Sequence, residues 1–214
     1  ANPGEHVSVL LGGSTSDGDG DPVGMAIHGL SSGNGTWEYS LDGGFVWNAI
    51  DPVDPTSALL LRDTDRVRFV PDGQNGTTAS FDFRAWDQTT GNAGDKVDVT
   101  TNGGSTAFSS ATDTADVTVS DVNDAPTLAP GAMPVLDPVV EDAGPPVGAV
   151  GTRIGDLVDF PGGGGLDNFD DVDTGSGIGI AVIAAETANG TWHYSIDDGA
   201  SWNALGAVNS TAAR

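Results

Sequence analysis

The chain has 214 residues, 32 of them glycine and 12 proline, with only 37% hydrophobic residues, so many turns must enclose modest cores, as suits an all-β protein. Seven basic residues face 31 acidic ones, a formal net charge of −24, and with Lys96 as the single lysine no basic surface exists to hold a phosphate backbone. Nucleic acid and anionic membranes are therefore not expected as partners, the lack of cysteine removes disulfides and thiolate metal sites, and no apolar run approaches the ~18 residues of a membrane span.

Val7 to Leu11 reads as a short apolar strand. SDGDGDP, Ser16 to Pro22, breaks it, and a strand resumes from Met25 to Leu30. Asp17, Asp19 and Asp21 stand at every second residue of this turn, a spacing that can converge oxygens on one calcium ion, as the first positions of an EF-hand loop do. The distal Glu and the flanking helices of that motif are missing, and a turn with solvated carboxylates is the plainer alternative.

NGTWEYSLDGGFVWNAI, Asn34 to Ile50, follows. It returns as NGTWHYSIDDGASWNAL, Asn189 to Leu205, with eleven of seventeen positions identical at an offset of 155 residues. A period of that length suits a whole domain rather than a solenoid turn, so the chain reads as part of a tandem array. In each copy Trp37, Tyr39 and Leu41, or Trp192, Tyr194 and Ile196, alternate with polar residues as in a half-buried strand. Asp42-Gly43-Gly44 or Asp197-Asp198-Gly199 then turns the chain, and Trp47 or Trp202 follows on the returning strand. The expectation is a β-hairpin with an aromatic inner face that packs as core, with a sugar-binding platform as the alternative.

Ala58 to Leu61 is a buried-looking run, and in the next strand Val67 and Phe69 alternate with Arg66 and Arg68, which are expected on the solvent face. After the turn PDGQNG, Phe81, Phe83 and Ala85 alternate up to Asp87. Residues 88–112, rich in Gly, Thr, Ser and Asn, predict a long surface excursion. Ala115, Val117 and Val119 form a last alternating strand that runs into NDAP, where Pro126 enforces an extended linker. About seven to nine short strands between Val7 and Val122, without a convincing amphipathic helix, predict a β-sandwich of immunoglobulin-like architecture.

The second unit opens on a proline-rich extended stretch, continues through GAVGTRIGDLVDF and the glycine cluster Gly162 to Gly165, and reaches the acidic run Asp167 to Gly177. An apolar strand, Ile178 to Ala185, is expected before the hairpin copy. By the offset Arg214 corresponds to position 59, so the second unit is expected to stop before the counterparts of RVRFV, SFDFRAWD and TADVTVSDV. EDAGPPVG, Glu141 to Gly148, resembles what should precede ANPGEHV, so the first unit is expected to lack its opening segment.

With DVNDAP and the NGTW-x-YS-x-D hairpin in view, the chain resembles the cadherin-like repeats of very large secreted bacterial surface proteins, including adhesins of the RTX type. The resemblance implies tandem Ig-like or cadherin-like Greek-key β-sandwiches, residues 1–125 and a truncated 126–214, with calcium at each domain junction. It also implies neighbouring repeats of the same polypeptide or array as partners, and a secreted, cell-surface location. Asp121, Asn123 and Asp124 match the family's DxND linker motif. Asp171 and Asp173 look like its DxD motif, with Asp17 and Asp19 as the counterpart in the first unit. Asp87 is similar to the acid closing the A-x-D motif, and Glu141 to the acid on the first strand. No clear copy of the LDRE-like motif exists, and Asp72 in PDGQNG stands roughly in its place.

The carboxylate excess agrees with this, because like charges within about 4 Å repel by roughly 4 kcal/mol at an effective dielectric of 20 and a divalent ion reverses the sign. A calcium-binding structural stalk of a surface adhesin is the leading expectation. A module that binds carbohydrate through exposed aromatics is the first alternative, and a filament or surface-layer subunit completed by a neighbour is the second, with surface glycan or protein as further partners. An enzyme is not expected: His6, His28 and His193 lie in no nucleophile motif, and the aspartates sit in Gly-rich turns rather than as a pair in an apolar cleft.

Overall fold

The computed structural model describes residues 2–13, 15–162 and 165–214. It divides into two compact units, Ala1–Asn123 and Asp124–Arg214. The glycine cluster singled out in the sequence is described only at Gly162 and Gly165, since Gly163 and Gly164 lie outside the described residues. Among the described residues no helix is long and apolar enough to cross a membrane.

The first unit contains β1 (Glu5–His6), α1 (Val7–Leu11), β2 (Gly24–Ser31), β3 (Gly35–Ser40), β4 (Asn48–Ala49), β5 (Ala58–Leu61), β6 (Arg66–Pro71), β7 (Thr77–Trp86), β8 (Lys96–Val97) and β9 (Asp113–Val119). All strand pairs are antiparallel, in one sheet of order β1-β6-β3-β4 and a second of order β8-β5-β2-β7-β9. Between the sheets lies one core. Trp37, Val67 and Phe69 enter it from the first sheet and Met25, Ile27, Leu59, Leu61, Ala79, Phe81 and Phe83 from the second, which makes the unit a β-sandwich.

The second sheet is also covered on its other face. Ala26, Ala58, Leu60 and Trp86 pack there with Val99, Ala107 and Phe108. Burial on both faces is why Met25-Ala26-Ile27 and Ala58 to Leu61 read as unbroken apolar runs rather than alternating ones. It also corrects the expected excursion over 88–112: part of that segment forms β8 and supplies the outer covering layer, tied down by Val99 N–H to Pro55 O (2.8 Å) and Asp87 N–H to Ala107 O (3.0 Å).

Val7 to Leu11 is a helical turn, not a strand. Val7, Val9 and Leu11 alternate, but Val7 and Leu11 are also four apart and so share one helix face, and both are buried in the core. Val7 and Ser8 donate their N–H groups to Asp65 O and Asp63 O at 3.0 Å, and Gly12, at φ 56°, ends the turn. Arg66 and Arg68 lie on the outer face of the sheet, as their alternation with core-facing Val67 and Phe69 requires, and are half-buried there by their partners. Arg66 donates to the carbonyls of Pro3 and Gly4, and Arg68 bridges Glu38 at 2.6 Å while lying 4.0 Å over the Trp47 ring. Since Arg68 and Phe69 are consecutive in one strand, Trp47 sits on the opposite face from Trp37, and the expected shared inner face divides.

Asp65, 1% exposed, is held by Arg62, which donates its backbone N–H (2.7 Å) and Nε (3.2 Å) to Oδ2 and Nη2 (2.8 Å) to Oδ1. This fixes the turn between β5 and β6.

The second unit is sparser. A pair, β10 (Thr127–Leu128) and β11 (Phe169–Asp170), and a hairpin, β12 (His193–Tyr194) and β13 (Asn203–Ala204), are its strands among the described residues. A 3-10 turn at Ile154–Asp156 leads to buried Val158, Phe160 meets Phe169 edge-on at 5.0 Å, and buried Asn168 accepts from Asp159 N–H and donates to Leu157 O. The strand expected over Ile178 to Ala185 does not form. Ile178, Ile180 and Ile183 are exposed, and Val182 exchanges backbone hydrogen bonds only with Arg214.

Two outcomes are expected. Trp37→Ala removes the ring that touches Phe69 and Phe81 and should cost the first unit on the order of 3–5 kcal/mol in urea unfolding, whereas a midpoint near the parent's would show that the ring is not a core element. Asp65→Ala strands the donors of Arg62 and should cost about 3 kcal/mol, discounted toward 1–2 because the guanidinium is partly solvated; a change below about 0.5 kcal/mol would contradict this role.

Candidate functional site

Two kinds of aspartate separate in the structure. The first kind is consumed by its own turn. Asp42 Oδ1 accepts the Ser40 hydroxyl (2.7 Å) and the N–H groups of Phe45 (3.0 Å) and Val46 (2.9 Å). In the hairpin copy Asp197 Oδ1 accepts the Ser195 hydroxyl and the Ser201 N–H, both at 2.8 Å, and Oδ2 the Ser201 hydroxyl at 2.6 Å. Asp54, Asp87 and Asp98 each take the N–H and hydroxyl of the threonine two residues on. These are Asx-type turns, and they answer why aspartate recurs at chain reversals.

Several residues singled out from sequence fall in this class. Asp17 Oδ1 accepts from the N–H groups of Asp19 (2.8 Å), Gly20 (3.0 Å) and Asp21 (3.4 Å), so it caps its own exposed loop. Asp72 Oδ1 accepts from Gln74 N–H at 3.0 Å. Asp121 accepts from Gly76 N–H at 2.8 Å, where the chain passes so near Gly76 that a Cβ would meet the Asp121 nitrogen at 2.7 Å. Glu141 is exposed.

Position along the first unit sorts these residues into two ends. The Asp17 to Asp21 loop leads into Gly24, which pairs with Trp86, next to Asp87. Asp121 and Asp72 flank the turn before Thr77, at the far end of the ten-residue β7, roughly 30 Å of strand away.

The second kind is found at the start of the second unit. Asp173 accepts the Asp124 N–H on Oδ2 (2.8 Å), and its own N–H donates to Asp171 Oδ1 (2.9 Å). Ser176 closes the loop by donating its hydroxyl to Asp173 O at 2.8 Å. Asp173 Oδ1 is buried and has no hydrogen-bond partner, and among the described residues it is the one carboxylate oxygen in that position. The resemblance to cadherin-like motifs drew attention to Asp124, Asp171 and Asp173, and the structure joins these three through consecutive hydrogen bonds. Their carboxylates do not form a closed ligand cage: among the described residues no group of three or more His, Asp or Glu is gathered to hold a metal ion.

The aromatics divide by unit. Trp37 and Trp86 are buried, Trp47 and Trp202 are half-buried, and Trp192 is 44% exposed. No family model, curated protein or solved structure matches this chain. What the residues define is therefore a class only: a cysteine-free, strongly acidic, all-β chain in which an antiparallel β-sandwich precedes a sparser β unit that repeats its hairpin.

A pH prediction follows from the turn aspartates. The Val46 N–H and then the Ser40 hydroxyl hold Asp42 below the usual carboxylate range, and the Ser201 hydroxyl and N–H do the same for Asp197. A lowered folded-state pKa means that the stabilisation is present above the unfolded value of about 3.9 and is lost as pH falls through the folded value. Carboxyl NMR titration should give midpoints below 3.9 for both groups. Midpoints at 3.9 would mean that the turns are frayed in solution.

Proposed function

We propose that the chain is a calcium-binding structural module, a stalk segment of a large secreted bacterial surface adhesin built from cadherin-like Greek-key repeats, and that it carries no catalytic site. The observation that carries this reading is the buried, unpartnered Oδ1 of Asp173 in a loop that also holds Asp171 and Asp124. A buried polar atom without a partner costs roughly 1–3 kcal/mol, more when charged, and a bound cation removes that cost. The donors available are oxygens alone, which suits calcium, with its tolerance for irregular sets of six to eight ligands, better than zinc or the strict octahedron of magnesium.

Asp124, Asp171 and Asp173 would hold the ion, and its charge would offset part of the carboxylate excess. Affinity of the order of 10⁻⁴ to 10⁻³ M is expected for such an open site, enough for occupancy outside a cell and too weak inside one. A repeat that orders only after export fits a surface stalk. Burial of Trp37 and Trp86 as core supports this reading for the first unit over carbohydrate binding, while exposed Phe45 (91%) and Trp192 (44%) are the aromatics that favour a glycan contact.

Thermal melting of the parent should rise on adding millimolar calcium and fall back with chelator. The double variant Asp124→Ala, Asp173→Ala should lose that response while the first unit keeps its fold. An undiminished calcium response would place the ions elsewhere, with the Asp17 to Asp21 loop the next position to mutate.

A further inference from the structure

The tripeptide Asn-Gly-Thr occurs three times, starting at Asn34, Asn75 and Asn189, and Asn-Ser-Thr once, at Asn209. An asparagine with a hydroxyl residue two positions on is the acceptor motif for N-linked sugar, but Asn-Gly is also a common turn dipeptide, so a structural reason must be sought first. The backbone separates the two uses. Asn102-Gly103 stands at a left-handed turn, with Gly103 at φ 73° and Gly104 at φ 64°, and it has Gly104 in place of the hydroxyl residue. In the three Asn-Gly-Thr copies neither the asparagine nor the glycine has positive φ, so no turn geometry calls for Asn-Gly there.

Inside the first unit the structure accounts for Asn34 and not for Asn75. Asn34 donates Nδ2 to Gly76 O and its N–H to Thr77 Oγ1, both at 3.3 Å. Asn75 lies between β6 and β7, in a turn whose left-handed residue is Gly73, at φ 81°. Its neighbour Gly76 is fixed by crowding, since a Cβ there would meet the Asp121 nitrogen at 2.7 Å. Among the described residues the Asn75 amide finds no hydrogen-bond partner, and neither of its polar atoms is among the buried unpartnered ones, so both meet water. Pro71, Asp72, Gly73 and Gln74 before it are exposed, and nothing lies within 4 Å of the place a Cβ would take on Gly73. A sugar on Asn75 Nδ2 therefore has open space and displaces no bond.

We propose that Asn75 is an N-glycosylation site, the acceptor for a sugar activated through phosphate at its anomeric carbon and delivered by a transferase that recognises Asn-x-Thr. Asn75 Nδ2 attacks the anomeric carbon and forms the new nitrogen–carbon bond. The carbon–oxygen bond to phosphate breaks, phosphate leaves with the electron pair, and one Nδ2 proton passes to a base of the transferase. In the folded unit Thr77 Oγ1 accepts the Asn34 N–H and the Gly76 N–H is held by Asp121 Oδ1, so transfer takes place on the chain before β7 pairs. Folding then leaves the sugar outside, as uncharged hydrophilic bulk on an exposed turn. This stands on the motif and its surroundings and not on the calcium reading, and either can fail alone.

The test starts from protein released from the cells that make it. Trypsin cuts after Arg68 and Arg84, and the peptide 69–84 holds Asn75 as its one asparagine. That peptide should carry the mass of a sugar, placed on Asn75 by electron-transfer fragmentation. If every copy is bare, or the sugar sits on a hydroxyl, the proposal is overturned. In the same cells Thr77→Ser should keep the sugar and Thr77→Val should lose it; sugar that survives Thr77→Val would overturn motif-directed transfer. In recombinant chain made without a transferase, Asn75→Gln should leave the melting midpoint of the first unit unchanged. A clear fall would give the Asn75 amide a structural role in place of the proposed one.

Discussion

Trp37 is the ring on which the first unit closes. It lies on β3, meets Phe69 of the neighbouring strand and Phe81 of the opposite sheet, and so spans the layer between them. Sheets of antiparallel strands have little intrinsic reason to stack; removal of apolar area from water drives it, and a tryptophan supplies more of that area than any other side chain. Its polar edge is satisfied by the Ser31 carbonyl, so burial leaves no orphan donor. Once Trp37 is placed, the strand pairs on either side have fixed inward residues, and β5 and β2 acquire a second buried face when Trp86, Val99 and Phe108 cover them.

Much of this was legible in the chain because period two survives wherever one face is wet. Phe81 and Phe83, Val67 and Phe69, and Val117 and Val119 all sit inward or against the core as their alternation says. Legibility failed where the sequence supports two periods or none. Val7 to Leu11 satisfies alternation and a helix face together, and the choice was made by the N–H acceptors that Asp63 and Asp65 offer. Trp47 lost its side because the six-residue turn hides the strand register. Counting back from Ile50, whose N–H bonds Trp37 O, puts Trp47 outward with Glu38 and Arg68. Residues 88–112 have a loop's composition, yet a sheet with unbroken apolar runs must be covered on both faces, and that requirement was present in Ala58 to Leu61.

The acidic residues show the limit of spacing as evidence. Asp17, Asp72, Asp87 and Asp121 were drawn out by pattern or resemblance; the first three each spend an oxygen on a backbone N–H of their own turn, and Asp121 spends one on the N–H of distant Gly76. A Gly-rich chain needs such caps at every reversal, because its turns expose more N–H groups than the strands can absorb. Net charge therefore overstates how many carboxylates are available for anything else. Asp65 is the opposite case: nothing in its spacing marks it, yet, held by the partly solvated Arg62, it is among the most buried polar groups of the first unit.

A repeated hairpin is an internal control on which contacts belong to the local sequence and which to the domain around it. Ser40-x-Asp42 and Ser195-x-Asp197 fold their turns alike in two surroundings, so those bonds are local. Burial of the tryptophan is not local, because Trp37 and Trp192 have the same immediate neighbours in sequence, Thr and Asn-Gly before them, and end at 5% and 44% exposure. The difference is carried by Phe69 and Phe81.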